Sequence, residues 1–229
     1  MTEGRTAHGG HRGRLALLAL VAAVAGAILV VVAVVSQDPA PPSLDEPVGT
    51  LESSPPASSN GPPQVRPAKE VPLGPSKPVS ISIPAIGVRS SVFPLGKTDD
   101  GRLAVPQPGP NLDKAAWFEN SPTPGQPGPS IIEGHVATEE RGPSIFFDLA
   151  ELRPGDTISV RRADGRTAVF TVDALREFPK DEFPTKLIYG GDLGEPTLRL
   201  ITCSNFDPSV GSHTGNLIAF SRLTSVVES

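Results

Sequence analysis

The chain has 229 residues, with 27 Pro, 23 Gly, one Cys and a formal net charge of -5. This length allows one or two domains, and the share of Pro and Gly indicates loop-rich or disordered parts. The negative charge and the lack of a long basic stripe argue against a nucleic-acid partner. A single cysteine excludes a disulfide within the chain.

The N-terminal region predicts a membrane anchor. Residues 1–14 are polar and basic, and residues 15–35 form an unbroken apolar run of roughly 21 residues, long enough for a helix to cross a bilayer core of about 30 Å. Arginines precede the run and Asp38 follows it, which predicts a cytoplasmic N-terminus and an extracellular remainder. The alternative is a cleaved signal peptide, but the run is longer than a usual signal core and lacks a clear cleavage site.

Residues 36–76 are rich in Pro, Ser and small residues and have few large apolar ones. Such a segment cannot bury enough surface to fold, so it is predicted as a disordered linker. Because polyproline rises about 3.1 Å per residue, the linker would hold a following domain up to roughly 100 Å from the membrane.

Residues 77–226 are predicted to form an all-β domain. Alternating or apolar runs predict strands at residues 79–83, 86–95, 103–105, 115–118, 130–136, 157–161, 168–172, 197–203 and 216–223. Residues 145–152 predict one or two helical turns, and residues 179–189 a loop with a short helix. Many short strands separated by Gly and Pro favour a closed β-barrel. The βαβ alternation of a nucleotide-binding α/β fold is missing from the sequence, which argues against that fold.

The candidate nucleophile is Cys203, which is predicted to end the strand at 197–203, just before a polar turn. A free thiol outside the cell is exposed to oxidation, so a chemical role is expected for it. Histidine is the usual group that activates a thiol, and the predicted ectodomain has two, His135 and His213. The alternative to a catalytic role is that Cys203 is a small buried apolar residue and that His135 is a core histidine whose two ring nitrogens are hydrogen-bonded.

The domain resembles a sortase, and its closest resemblance is to the class F type of actinobacteria. The resemblance covers residues 79–223 and is carried by six motifs in order: Ile83-Pro84-Ala85-Ile86-Gly87-Val88, Gly134-His135, Phe146-Phe147-Asp148-Leu149, Leu152-Arg153-Pro154-Gly155-Asp156, Phe183-Pro184-Thr185 and Leu198-Arg199-Leu200-Ile201-Thr202-Cys203. It implies an eight-stranded β-barrel, a membrane span with a stalk, and a cysteine transpeptidase that needs no cofactor. Its expected partners are secreted proteins with LPXTG-like C-terminal signals and the amine of a peptidoglycan precursor.

By this resemblance, Cys203 attacks the Thr-Gly carbonyl to form a thioacyl enzyme. His135 protonates the leaving amine and then deprotonates the incoming one. Sortases also use an Arg near the start of the last strand to stabilise the oxyanion, and here Thr214 or Asn216 stands at that position. The candidate substitutes are Asn216 and His213.

Arg222 is a third candidate for the missing donor, although six residues beyond Asn216 is about 20 Å along a strand. The departure from the family pattern keeps an alternative open, in which a degenerate sortase barrel binds sorting signals or wall peptides without turnover. A third possibility, a structural protein that spans the wall, accounts for residues 36–76 but not for the barrel motifs.

Overall fold

The computed structural model describes residues 40–51, 65–67, 73–190 and 193–228. Within these ranges, no helix has both the length and the apolar character needed to cross a membrane. The span predicted at residues 15–35 and most of the predicted linker lie outside the described residues.

The described residues form mainly strands, with three 3₁₀ turns and one short α-helix. The strands are β1 (Val48–Gly49), β2 (Val65–Pro67), β3 (Pro78–Ile83), β4 (Val88–Leu95), β5 (Ala115–Phe118), β6 (Gly128–Glu133), β7 (Ala137–Thr138), β8 (Gly142–Pro143), β9 (Thr157–Arg162), β10 (Thr167–Pro179), β11 (Pro196–Asp207) and β12 (Ser212–Val227). The 3₁₀ turns are Pro84–Ile86, Leu149–Glu151 and Lys180–Glu182, and the helix α1 is Thr185–Tyr189.

The main sheet closes on itself because β10 pairs with β9 on one side and with β12 on the other. Around the barrel the order is β10, β9, β3, β4, β5, β6, β11 and β12, so the described chain contains a closed wall of eight strands. The pairs β4–β5 and β6–β11 are parallel, and the remaining pairs of the wall are antiparallel. The predicted closed eight-stranded barrel is therefore confirmed.

Alternate residues of the strands face the two sides of this wall, as the period of a strand requires. Leu198, Leu200 and Leu217 belong to the large apolar cluster that fills the barrel. Their neighbours Ile201 and Ile218 belong to a second apolar cluster, here called the outer cluster. Helix α1 contributes to the outer cluster, so it covers one patch of the outer wall.

Three local predictions differ from the structure. Residues 103–105 form no strand, and only Leu103 makes an isolated bridge, with Lys97. Residues 145–152 contain only the 3₁₀ turn Leu149–Glu151, which Pro154 follows closely. Strand β11 does not end at Cys203 but continues to Asp207, paired with β12 throughout.

Candidate active site

The register of neighbouring strands places Cys203 and Asn216, two of the predicted site residues, side by side. Cys203 of β11 lies opposite Asn216 of β12, and Asn216 lies opposite Phe178 of β10 on its other side. On the far side of β11, the parallel pairing with β6 ends at Ile201 opposite Glu133.

The chain beyond β6 continues alongside β11. The Gly134 amide donates to the Ile201 carbonyl at 3.2 Å, and the Thr202 hydroxyl donates to the Gly134 carbonyl at 2.9 Å. His135 follows Gly134 and Cys203 follows Thr202, so the two backbones continue next to each other beyond the end of β6. Strand alternation directs the Cys203 side chain to the outer face of the wall, the face of Ile201.

Gly134 sets the position of His135 by allowing close packing. A Cβ at this residue would lie 2.5 Å from Cγ2 of Ile145 and 2.9 Å from Cδ2 of Phe146. The space beside this glycine is thus filled by side chains that follow the histidine, and the Phe146 amide also donates to the His135 carbonyl at 3.0 Å. Any larger residue would push the histidine segment away from β11.

The His135 ring is held by the loop between β4 and β5. Its Nε2 lies 2.8 Å from the carbonyl oxygen of Pro106. Because a carbonyl can only accept, Nε2 carries the proton, and Nδ1 of the neutral ring is left as the nitrogen that can take one. His135 therefore has one anchored nitrogen and one available for proton transfer.

Asp113 of the same loop adds a negative charge close to His135. Its carboxylate pairs with Arg141 at 2.6 Å and accepts from the Ser144 hydroxyl at 3.0 Å. Burial alone would raise the pKa of Asp113, but Arg141, Ser144 and the nearby charge of His135 together hold it below the ordinary value. The carboxylate of Asp113 thus stays ionised near His135.

Cys203 is a free, half-buried thiol. Burial raises the pKa of this thiol, and the charge of Glu133 raises it further. The positive charge of Lys180 acts in the opposite direction and lowers it. The site therefore holds the nucleophile between an acidic and a basic neighbour, and their balance decides how much thiolate is present.

Glu133 is a buried carboxyl that the sequence analysis did not single out. It is 5% exposed, and its Oε1 has no hydrogen-bond partner. Burial raises its pKa to about 8, so this side chain is mostly protonated at neutral pH. The nearby ring of Tyr189 in α1 is affected in turn, because burial and the Glu133 charge both raise the pKa of its phenol.

The three candidates for the oxyanion donor lie at different places. Asn216 is half-buried and directly opposite Cys203. His213 packs its ring against Phe206 at 5.3 Å in the β11–β12 ribbon, where burial and then the charge of Lys180 lower its pKa. Arg222 forms an ion pair with Asp173, and the structure does not bring it to Cys203.

Two other polar side chains near the site, Thr214 and Arg199, are already engaged in contacts of their own. Thr214 donates its hydroxyl to the Asn205 carbonyl at 3.0 Å, and Arg199 lies over the Phe220 ring at 4.7 Å. Among the residues that the structure describes, no group of three or more His, Cys, Asp and Glu is placed to hold a metal ion.

The closed eight-stranded barrel carries a half-buried thiol on β11 and a histidine in the segment that follows the neighbouring strand β6. The family model of the sortase domain matches residues 81–224, and the chain therefore belongs to the sortase family. No curated protein matches the chain in sequence.

Solved structures with a similar fold are also sortases. Sortase A of Listeria monocytogenes is 20% identical, with a TM-score of 0.47 over 65% of this chain and 88% of that chain. Sortase A of Corynebacterium diphtheriae is 23% identical, with a TM-score of 0.48 over 65% of this chain and 61% of that one. Sortase C-3 of Streptococcus pneumoniae is 18% identical, with a TM-score of 0.50 over 68% and 66%. The last of these supports the barrel fold.

Proposed function

We propose that this chain is a membrane-anchored, class F sortase-type cysteine transpeptidase of the actinobacterial kind. It would cleave an LPXTG-like sorting signal and transfer the secreted protein to the amine of a peptidoglycan precursor. The observation that supports this most is the pairing of β6 with β11, which makes His135 and Cys203 neighbours on a sortase-family barrel.

The proposed reaction has two halves. In the first, the Cys203 thiolate forms a bond to the Thr carbonyl carbon, and the carbonyl electron pair moves to oxygen. When this intermediate collapses, the C–N bond breaks and the leaving amine takes a proton from His135. In the second, His135 removes a proton from the incoming amine, which attacks the thioester and expels the thiolate.

The anchoring of His135 fits this exchange of protons. With Nε2 bonded to Pro106, only Nδ1 has to gain and lose a proton. The ionised carboxylate of Asp113 lies near the ring during both halves. The remaining layout stays a prediction: residues 1–14 in the cytoplasm, 15–35 across the membrane, 36–76 as linker and 77–226 as the extracellular catalytic domain.

A second candidate function is a barrel that binds sorting signals without turnover. Two observations favour it: no Arg stands near the start of β12, and burial raises the pKa of the Cys203 thiol. A binder would hold the peptide without forming a covalent adduct.

One experiment separates the two functions. The full-length protein in detergent is incubated with a quenched LPXTG-type peptide and a primary amine, and adducts are followed by mass spectrometry. We expect cleavage, a thioacyl adduct on the wild type, and neither with Cys203→Ala. His135→Ala should lose most of the rate, whereas Lys77→Met, at an exposed residue just before β3, should not. Peptide binding without adduct or cleavage across several signals would reject the transpeptidase.

A further inference from the structure

The proposed reaction places negative charge first on the Cys203 sulfur and then on the substrate oxygen. No arginine of β12 is placed to stabilise it, because Arg222 is engaged by Asp173. The start of β12 instead presents Asn216 and Thr214, which are both neutral. Yet a lost oxyanion donor costs about 10²–10³ in rate. The proposed reaction therefore requires another cation near Cys203.

The end of strand β10 brings a lysine, Lys180, towards Cys203 from the other side of β12. The last pair between β10 and β12 joins Pro179 to Gly215, and Gly215 also lies opposite Ser204, the residue after Cys203. Lys180 follows directly as the first residue of the 3₁₀ turn Lys180–Glu182. Its backbone is thus two strands from β11, or about 10 Å.

The direction of this segment is set by its neighbours. Phe178 packs in the outer cluster, on the same face of the wall as Ile201 and, by strand alternation, Cys203. Pro179 then fixes the chain in an extended conformation with φ -56° and ψ 144°. Two residues after Phe178, the side chain of Lys180 projects on the same face, and its length lets the ammonium extend across β12 towards Cys203.

We infer that Lys180 is a catalytic residue of the Cys203 site, where its ammonium supplies the positive charge that an arginine of the last strand would otherwise supply. Its first role is to stabilise the Cys203 thiolate. Its second role, which rests on the proposed transpeptidase function, is to stabilise the oxygen of the tetrahedral intermediate.

One ammonium can serve both roles because the charge moves only a short way. As the sulfur electron pair forms the S–C bond, the carbonyl pair moves to oxygen, so the charge shifts by two bonds. Lysine carries three donors on a flexible stem and can follow this shift, although it lacks the bidentate geometry of arginine. The electrostatics agree: Lys180 lowers the pKa of Cys203 against the effect of burial, and it lowers that of His213 as well.

The first role is tested without any substrate. The rate of Cys203 alkylation by iodoacetamide is measured from pH 5 to 10 for the wild type, Lys180→Met, Lys180→Arg and Lys77→Met. Each variant except Lys180→Arg removes one positive charge, but Lys77 precedes β3 and its neighbour Ser76 bonds Thr123, before the start of β6. Cys203 lies beyond the end of β6, so Lys77 is at the opposite end of that strand.

We expect Lys180→Met to move the alkylation profile to higher pH and to slow alkylation at pH 7 by about tenfold, equivalent to one pKa unit. Lys180→Arg should stay within about threefold of the wild type, because arginine keeps a positive charge at this position although its geometry differs. Lys77→Met should match the wild type, because the charge beside Cys203 is unchanged in that variant. An unchanged profile for Lys180→Met would overturn the inference.

The second role is tested with the peptide and amine assay. Lys180→Met should lower kcat by about 10²-fold, and Lys180→Arg should recover a large part of that loss. A Lys180→Met protein with wild-type kcat would overturn the second role. If the wild type cleaves no peptide at all, the transpeptidase proposal fails, and the alkylation profile still decides whether Lys180 stabilises the Cys203 thiolate.

Discussion

Replacing Glu133 by Gln should remove part of the pH dependence of the free energy of unfolding. The carboxyl is buried, its Oε1 is unpaired, and its pKa rises from an ordinary 4.5 to about 8 on folding. Because the folded state holds this proton more tightly, the contribution of Glu133 to stability is fully present below pH 4.5. It is lost as the pH rises through about 8.

The size of the effect follows from the two pKa values. At about 1.36 kcal/mol per pKa unit, the full difference corresponds to roughly 5 kcal/mol, of which roughly 3 kcal/mol is lost between pH 5 and 8. Glutamine has the shape of the protonated acid but does not ionise. The Glu133→Gln protein should therefore match the wild type near pH 5 and exceed it by roughly 3 kcal/mol at pH 8.

Urea unfolding followed by fluorescence of Trp117, the only tryptophan, measures this difference at each pH. Glu151→Gln serves as the control, because Glu151 is exposed and should change the profile little. The wild type and Glu133→Gln share every other titrating group, so only the difference between their curves matters. Parallel curves from pH 5 to 9 would refute the account of Glu133 as a buried, unpaired acid.

Three further substitutions test the surroundings of His135 and the role of Arg222. Gly134→Ala should lower the free energy of unfolding by about 1–3 kcal/mol, as overpacking does, because the new methyl group collides with Ile145. Thermal unfolding measures this change, and an unchanged stability would contradict the close packing at Gly134. Asp113→Asn removes the carboxylate that pairs with Arg141 and accepts from Ser144 beside His135, so kcat should fall several-fold with little change in KM. Arg222→Gln breaks the ion pair with Asp173 and should cost up to about 1 kcal/mol of stability. The substitution should leave kcat within about twofold. A large loss of kcat would show that Arg222 takes part in the reaction.

The barrel strands could be predicted because the barrel interior imposes a regular pattern on them. Residues 79–83, 115–118 and 157–161 alternate or run apolar, and each lies within a strand of the structure. The continuation of β11 beyond Cys203 could not be predicted in this way. Residues 205–207 leave the barrel wall in a two-stranded ribbon with β12, and a ribbon whose side chains are exposed or half-buried needs no apolar alternation.

His135 and Cys203 were expected to meet because two strands would end at one rim, and their action as a pair stays a prediction. The structure adds that β6 and β11 pair in parallel, which no local pattern encodes. Glu133 and Lys180 were missed for the same kind of reason. The carboxyl becomes buried only when α1 and the outer cluster cover the wall, and the lysine reaches Cys203 only across β12.

The position of Lys180 also predicts that an arginine restored to β12 can replace it. Asn216 lies between Phe178 and Cys203 in the same row of the sheet, and its side chain has the same parity as that of Cys203. An arginine at 216 would extend over the region that the Lys180 ammonium reaches in this chain. In the Lys180→Met background, Asn216→Arg should therefore return the alkylation profile of Cys203 towards that of the wild type. With Lys180 present, the same substitution should add less than tenfold, since two cations would compete for one thiolate. If instead the two substitutions act independently, the site holds separate places for two cations, and the lysine is not a substitute for the arginine.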